Sequence, residues 1–345
     1  MTPATYSTTK KDGKLCLSDF SFEKTVGKGM FGQVHLAQSH LDGRFYAIKA
    51  LVKRRLVTKR QVVSAHNERD ILRSIDHPFV VKLWDTFQDE TSVFFVMDYV
   101  PGGELFRLLR RNKRFTEPAA RFYAAETLLA IDYLHQHNVV YRDIKPENIL
   151  LDAGGHVKLA DFGFAKRVSP DAKCMTVCGT PDYVAPEIIR SKGYGTAVDW
   201  WSFGVLIFEL TVGKTPFHAD NPVDMYEKIL KGEVRYQLYQ SEELVDLLKH
   251  LLQGDPAERY GNLRNGANDI KQHPWFQRLN FDKVLAGQVK PPYIPDIKSP
   301  NDSSYFITYS EPNTPYGSIQ GTDDETDDWE SSPRPPIIND PFADF

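Results

Sequence analysis

Apolar and polar residues alternate with a period of two along much of residues 20–97, which is the pattern of half-buried strands. One helical stretch interrupts the strands, and Pro78 cannot continue it. The pattern predicts an N-terminal lobe that is rich in strands and contains one main helix. The predicted strands are 20–26, 33–39, 44–51, 80–84 and 92–96, with a hairpin turn at Asp42-Gly43, and the predicted helix is 61–75.

Helical spacing of apolar residues dominates residues 101–276, which we predict to form a C-terminal lobe. Residues 198–210 are apolar nearly all round and predict a buried central helix. Thr196 is its predicted N-cap and Gly213 its predicted C′ residue. The fold class is therefore α+β, with a β-rich lobe followed by a helical lobe. Further helices are predicted near 120–134, 222–231 and 241–253.

The two ends of the chain differ from the middle in composition. Residues 1–19 are rich in Thr, Ser and Lys, which predicts a disordered arm. Residues 277–345 contain a proline-rich stretch and the acidic run 323–330, which is typical of a solvated tail. This tail nevertheless ends in a Phe-x-x-Phe motif, Phe342 to Phe345, and two aromatic residues are not expected to remain in water.

Composition narrows the class of function. Hydrophobic residues make up 41% of the chain and charged residues 26%, as in an ordinary globular protein. The net charge of −4 argues against a general nucleic-acid partner. No apolar run approaches the roughly 18 residues that span a membrane. Three cysteines without a CxxC pair favour a reduced, cytoplasmic location, and the nucleus stays open as well.

A glycine-rich segment, GKGMFGQV, joins the first two predicted strands. Alone, such a segment is more often a simple turn than a binding site. A dinucleotide-binding fingerprint would open a helix, whereas a hairpin tip without side chains can offer its amides to triphosphate oxygens. We therefore predict a nucleotide site whose base lies between two valines. Its residues are Val26, Gly27, Lys28, Gly29, Met30, Phe31, Gly32, Gln33 and Val34.

Ala47 and Lys49 lie two positions apart in the third predicted strand and so share one face. A small residue beside a lysine suits an adenine contact next to a phosphate-binding ammonium group. In isolation, Lys49 would be interpreted as an exposed surface lysine. Glu68, in the following helix, is its predicted ion-pair partner, and a solvated helix glutamate is the alternative.

Residues 141–148, YRDIKPEN, concentrate the chemistry of phosphoryl transfer. Asp143 is the candidate base that orients a hydroxyl, and Lys145 would neutralise charge on the transferring group. Asn148 and Asp161 offer oxygen ligands suited to Mg²⁺, a hard cation. With the glycine-rich segment and Lys49, this set matches the motifs of protein kinases, which predicts ATP and Mg²⁺ as cofactors.

Ala185-Pro186-Glu187 follows Asp161 by 24 residues, and the segment between these motifs is expected to be an activation loop. Thr176 is its candidate phosphosite, and a plain loop threonine is the alternative. A phosphate would add almost two negative charges. Arg142 and Lys166 are the cations available to it.

The chain resembles eukaryotic protein kinases and, among them, the cyclic-AMP-dependent members of the AGC group, with a fungal-like character. Tyr141-Arg142-Asp143, Asp161-Phe162-Gly163, residues 176–187, Asp199-Trp200-Trp201 and the terminal Phe-x-x-Phe motif carry the resemblance. It covers about 20–309 and the last few residues. It implies the bilobal kinase fold, a kinase domain at 20–276 with lobes 20–97 and 101–276, and an AGC C-terminal tail. The implied activity is that of an ATP-dependent serine/threonine kinase.

The resemblance also implies roles for single residues. Thr180 would contact the catalytic loop, Arg259 would pair with Glu187, and Asp199 would anchor the loop from the central helix. The tail phenylalanines would dock on the N-terminal lobe. The implied additions to the nucleotide site are Met97, Asp98, Val100, Glu104 and Phe306.

Substrate preference is a further implication. Glu104, Glu147 and Glu209 would receive arginines of the substrate through charge-assisted contacts. An apolar pocket for the residue after the acceptor would consist of Val177, Pro181 and Val184. The implied partners are protein substrates with Arg-Arg-x-Ser/Thr-hydrophobic sites and a separate cAMP-binding regulatory subunit.

One departure from the related kinases, one further resemblance to them and two alternative functions remain to be stated. Ser64 occupies the helix position where related kinases often have a histidine, and His66 lies two residues on. Thr314-Pro315 resembles a second phosphosite of AGC kinases. The alternatives are an ATP-dead scaffold with this fold and an AGC kinase with a different regulator; the first is disfavoured because Lys49, Glu68, Asp143, Asn148 and Asp161 are all present.

Overall fold

The computed structural model describes residues 15–169, 173–176, 178–309 and 340–345. The chain divides into two compact units. The first comprises Met1–Arg69, Leu83–Tyr99 and Pro300–Phe345, and the second comprises Asp70–Lys82 and Val100–Ser299. Residues 1–14 of the predicted arm, the predicted pocket residue Val177 and the candidate phosphosite Thr314 lie outside the described part.

A five-stranded antiparallel sheet with the order β1-β2-β3-β5-β4 forms the first unit. Alternation along the strands sends one face into an apolar cluster that includes Phe20, Ile48 and Phe94. Phe20 stacks on Phe87 with ring centroids 6.0 Å apart. The strands are β1 (Phe20–Lys28), β2 (Gly32–Ser39), β3 (Phe45–Val52), β4 (Leu83–Gln88) and β5 (Ser92–Asp98), and the helices are α1 (Lys53–Thr58) and α2 (Val62–Ser74), the last turn of which belongs to the second unit.

Helices dominate the second unit, as the sequence predicted. Its helices are α3 (Leu105–Asn112), α4 (Glu117–Gln136), α5 (Pro186–Ile189), α6 (Ala197–Val212), α7 (Pro222–Lys231), α8 (Glu242–Leu251), α9 (Asn268–Lys271) and α10 (Phe281–Leu285). Two small antiparallel pairs carry the loops of interest: β6 (Val139–Val140) with β9 (Lys166–Arg167), and β7 (Ile149–Leu151) with β8 (Val157–Leu159).

Helix α6 is the predicted buried central helix. All its residues from Ala197 to Thr211 are buried. Gly213 ends it with φ of 90°, and a Cβ there would lie 2.1 Å from the carbonyl oxygen of Lys113. Glycine is therefore required at this position. Thr196 occupies the N-cap position, but its side chain makes no capping hydrogen bond.

Three predictions of local structure were wrong. The strand predicted at 80–84 has the wrong bounds: β4 is Leu83–Gln88, and Val80 makes only a single bridge to Leu159. A short apolar run predicts that its residues are buried, but it does not distinguish a strand from other secondary structure. Helix α1 was missed, since only its first residue and Leu56 are buried. Leu15 and Leu17 pack on the sheet core, so the prediction of disorder is wrong for residues 15–19.

Candidate active site

Four side chains of the second unit form a closed network around Asp143, which is 3% exposed. The Thr180 hydroxyl donates to Asp143 Oδ1 at 2.8 Å, and Lys145 Nζ lies 2.8 Å from Asp143 Oδ2. Lys145 also donates to the Thr180 hydroxyl at 2.8 Å. The structure thus brings together three predicted catalytic residues and fixes the orientation of the carboxylate.

Asn148 completes this network and leaves one atom for a cation. Its side-chain nitrogen donates to Asp143 Oδ2 at 2.7 Å and to the Asp143 carbonyl at 2.8 Å. The amide oxygen therefore remains as an oxygen ligand. The amide of Ala160 donates to the Asn148 carbonyl at 2.8 Å, which holds the exposed Asp161 next in the chain. This donor set fits a hard divalent cation.

Asp199 anchors the catalytic loop from α6. It is fully buried, and it accepts hydrogen bonds from the backbone amides of Tyr141 at 2.9 Å and Arg142 at 2.8 Å. His135 Nε2 lies 2.8 Å from the same carboxylate. The partnership with His135 was not predicted, since α4 gave no sign beyond its apolar face. The anchoring role implied for Asp199 matches this geometry.

The glycine-rich segment in the first unit is the β1–β2 hairpin, as predicted. A Cβ on Gly32 would lie 1.8 Å from the Ala50 carbonyl oxygen, so the fold itself requires that glycine. Gly27 and Gly29 would each meet nothing closer than 3.5 Å. Packing does not demand their missing side chains, which suits the close approach of a phosphate group. The tip residue Met30 is 74% exposed.

On strand β3, Ala47 and Lys49 lie two positions apart on one face of the sheet, as the sequence predicted. Ala47 and Lys49 are half-buried, and Ile48 between them is buried in the sheet core. Lys49 Nζ lies 2.7 Å from Glu68 Oε1, and Glu68 is buried on α2. The ion pair that the sequence only suggested is therefore formed.

The other predicted nucleotide residues divide between the two units. In the first, Met97 is opposite Ala47 in the β3–β5 pairing, and Val34 is opposite Lys49. The Asp98 carboxylate accepts the indole N–H of Trp84 at 2.7 Å, so that side chain is already engaged.

Two aromatic residues of the tail, Phe306 and Tyr309, make contacts within the first unit. Phe306 packs on Tyr99 with ring centroids 5.9 Å apart. Lys28 Nζ lies 5.4 Å from the ring centroid of Tyr309.

The remaining predicted nucleotide residues differ in burial. Val26 is buried, and Gln33 and Phe31 are half-buried. In the second unit, Val100 is buried and Glu104 is half-buried just before α3.

The three acidic residues assigned to substrate arginines lie in the second unit, and the charge of Glu147 acts on the other two. Burial raises the pKa of Glu104, and the charge of Glu147 raises it further. Burial likewise raises the pKa of Glu209, with Glu147 again adding to the effect. Glu147 Oε2 is buried without a hydrogen-bond partner among the described residues. A buried, unpaired carboxylate oxygen whose charge acts on two other acidic residues favours a bound cation.

The Glu209 carboxylate already has two partners in the second unit. Tyr183 donates a short hydrogen bond to its Oε2, and Arg110 NH2 lies 2.9 Å from its Oε1. Of the two described residues of the predicted apolar pocket, Pro181 is exposed and Val184 is buried.

Thr176 is exposed, and its carbonyl accepts the hydroxyl of Tyr194 at 2.6 Å. Arg142 donates to the same hydroxyl at 3.1 Å and to the Phe164 carbonyl at 2.7 Å. The route from Thr176 to the catalytic loop therefore runs through Tyr194, a residue that sequence reasoning missed. Only the spacing of a tyrosine after the Ala-Pro-Glu motif could have indicated it.

The end of the tail docks on α2, in the first unit. Phe342 is fully buried and Phe345 is 3% exposed. The His66 ring stacks on Phe342 with centroids 5.6 Å apart, and its Nε2 lies 2.9 Å from the Pro341 carbonyl. His66 therefore contacts the docked end of the tail. Arg69 NH2 lies 3.1 Å from Asp344, an ion pair that sequence reasoning had not indicated.

The chain belongs to the protein kinase family, since the protein kinase domain matches residues 20–276. It contains the family's ATP-dependent serine/threonine kinase domain, and the resemblance to AGC kinases is confirmed. No helix among the described residues is long and apolar enough to cross a membrane.

Several curated relatives are cAMP-dependent kinases. The chain is 51% identical to the cAMP-dependent protein kinase catalytic subunit of Schizosaccharomyces pombe over 92% of its own length and 62% of that protein. It is 51% identical to cAMP-dependent protein kinase type 3 of Saccharomyces cerevisiae over 90% of this chain and 78% of the relative. A human cAMP-dependent protein kinase catalytic subunit is 46% identical over 86% of this chain and 82% of the relative.

Proposed function

We propose that the protein is a catalytic subunit of the cAMP-dependent kinase type. It transfers the γ-phosphate of ATP to serine or threonine in protein substrates. The observation that carries this proposal is the closed network of Asp143, Lys145, Asn148 and Thr180, in which each contact is between 2.7 and 2.8 Å. Such preorganisation is what phosphoryl transfer requires of a protein, since positioning and electrostatics supply most of the catalysis.

The roles of the residues follow from this geometry. Asp143, held by Thr180 and Asn148, orients the substrate hydroxyl and accepts its proton. Lys145 presents its ammonium group to the transferring phosphoryl group. Asn148 and Asp161 would hold Mg²⁺, which when bound neutralises the charge of the phosphate oxygens. In the first unit, Lys49 is fixed by Glu68 to meet the phosphates of ATP.

The preferred substrates are basic, with the pattern Arg-Arg-x-Ser/Thr-hydrophobic. Repulsion of Glu104 and Glu209 by Glu147 is relieved when a guanidinium group binds, and the unpaired Glu147 oxygen gains a donor. Because both raised pKa values lie above the usual 4.5, arginine recognition weakens on acidification from above pH 4.5.

Regulation requires a second chain in this proposal. A cAMP-binding regulatory subunit inhibits the kinase and releases it when cAMP binds, as the names of the relatives suggest. Phosphorylation of Thr176 supports the active loop through Tyr194 and Arg142. We place the protein in the cytoplasm, with the nucleus left open, because its three cysteines are free.

Peptide kinetics test the substrate proposal. We expect an Arg-Arg-x-Ser-hydrophobic peptide to exceed its Ala-Ala counterpart in kcat/KM by at least about tenfold, which is 1.4 kcal/mol of differential binding. Glu147→Gln should abolish most of this preference, whereas Glu227→Gln on the exposed face of α7 should not. Equal rates on the two peptides would refute the basic preference. Inhibition by a yeast regulatory subunit, relieved by cAMP, tests the regulatory part.

A further inference from the structure

Helix α1 and the two residues after it present a cluster of cations to solvent. None of these cations has an ion-pair partner among the described residues. Helix α1 buries only Lys53 and Leu56, so packing does not explain the cluster. Like charges this close repel one another and favour an anionic ligand. The basic face is defined by four exposed residues: Arg54, Arg55, Lys59 and Arg60.

The chain contains an anionic segment that the proposed function does not use. Residues 323–330 read DDETDDWE, with six carboxylates in eight positions. The whole chain has a net charge of only −4, so this segment carries more negative charge than the total. It lies outside the described residues.

The docked end of the tail shows where this segment is tethered. Asp340 Oδ2 lies 2.6 Å from Lys53 Nζ, and Lys53 is the first residue of α1. Residues 331–339 separate the acidic segment from Asp340, and this linker spans at most about 30 Å when extended. Helix α1 is only about 9 Å long. The whole basic face is therefore within reach of the acidic segment.

We propose that the acidic segment 323–330 binds the basic face of the same chain. The charges are complementary, and the short tether holds the segment at an effective concentration of about millimolar. The same tether continues into Phe342 and Phe345, both of which contact the His66 ring on α2. The tail is thus held at two neighbouring places on the helices that precede and contain Glu68. The contact is electrostatic and solvent-exposed, so salt weakens it.

Zero-length carbodiimide cross-linking of the full chain tests this, because Lys59 is the only amine of the basic face. We expect Lys59 to be linked to residues 323–330, with a yield that is independent of protein concentration. The yield should fall at least about fivefold between 50 and 500 mM salt. Arg54→Glu/Arg55→Glu/Arg60→Glu should remove the link. The matched control, Lys214→Glu/Lys283→Glu/Lys290→Glu in exposed positions of the second unit, should retain it.

A charge swap keeps the test decisive if the triple variant folds poorly. Changing the six acidic residues of 323–330 to lysine in the triple variant should restore the cross-link, now from tail lysines to glutamates on the basic face. An unchanged cross-link yield in the variant with glutamates on the basic face would overturn the proposal. So would links that form only between two chains, which would make a second copy the occupant, or links from the segment to lysines elsewhere.

Discussion

Two residues of the catalytic segments, Arg142 and Asp161, have left-handed backbone, with φ of 70° and 56°. Non-glycine residues seldom adopt this region, although aspartate does so more often than arginine, so the surroundings help to hold both residues there. The Asp199 carboxylate accepts the Arg142 amide, and the Asp161 carboxylate accepts the Gly163 amide at 3.2 Å. The sequence predicted which residues matter, but it gave no sign that their backbone would be strained, because nothing in either side chain requires that.

Asp199→Asn tests the anchor of this strained loop. Asparagine replaces one acceptor oxygen by an NH₂ group that faces a backbone N–H, which leaves a buried donor unpaired and costs about 1–3 kcal/mol. We expect kcat to fall at least about a hundredfold, with the melting temperature lowered by a few degrees. Asp220→Asn, on an exposed loop, is the control. Unchanged kcat would show that the anchor is dispensable.

His77 makes stability depend on pH. Burial, aided by the charge of Lys158, lowers the pKa of His77 from the usual 6.5 to about 4. The neutral ring accepts the Phe79 amide at 3.2 Å and stacks on Tyr133. A depressed histidine pKa stabilises the fold above pH 6.5, and this contribution is lost as pH falls towards 4. After allowance for partial exposure, the loss is about 1–2 kcal/mol.

Urea unfolding of the natural protein and His77→Gln at several pH values measures this contribution. The difference between their unfolding free energies should shrink between pH 6.5 and 4, because only the natural protein carries the titrating ring. A difference that stays constant over that range would contradict the assigned pKa.

At the scale of elements, the β1–β2 hairpin separates glycines that the fold needs from glycines that a ligand needs. Gly32→Ala would bring a Cβ to 1.8 Å from the Ala50 carbonyl oxygen, so the strand must shift. We expect a loss of more than about 2 kcal/mol in stability. Gly29→Ala, with no neighbour within 3.9 Å, should leave the melting temperature unchanged and weaken ATP binding. Thermal melts and ATP titrations of both variants would distinguish the two roles, and equal destabilisation would contradict them.

The docking of the tail on α2 is the second element-scale feature. Phe345 is buried, contacts Phe95 with centroids 5.3 Å apart and lies under the Arg69 guanidinium group. Phe345→Ala removes a buried ring, and we expect a loss of about 3 kcal/mol together with weaker ATP binding through a less constrained Glu68. The control is Leu238→Ala, since Leu238 is fully exposed. Calorimetry that shows equal melting for both variants would mean that the tail end does not stabilise α2.

At the scale of the whole molecule, the sequence was most informative where chemistry and periodicity coincide. The buried helix α6, the paired face of Ala47 and Lys49, and the network around Asp143 were all predictable, since motif spacing and alternation are local. Lys53 with Asp340 and His135 with Asp199 were not predictable. These pairs join residues 287 and 64 positions apart, and only the folded chain reveals them.

We propose that this chain transfers phosphate and does not merely bind ATP. The most direct measurement is the transfer of labelled γ-phosphate from ATP with Mg²⁺ to an Arg-Arg-x-Ser-hydrophobic peptide, by the natural protein and by Asp143→Ala. We expect phosphopeptide from the natural protein and a rate at least about a hundredfold lower from the variant, with ATP binding retained. A natural protein that binds ATP but transfers nothing, or a variant that is equally active, would contradict it.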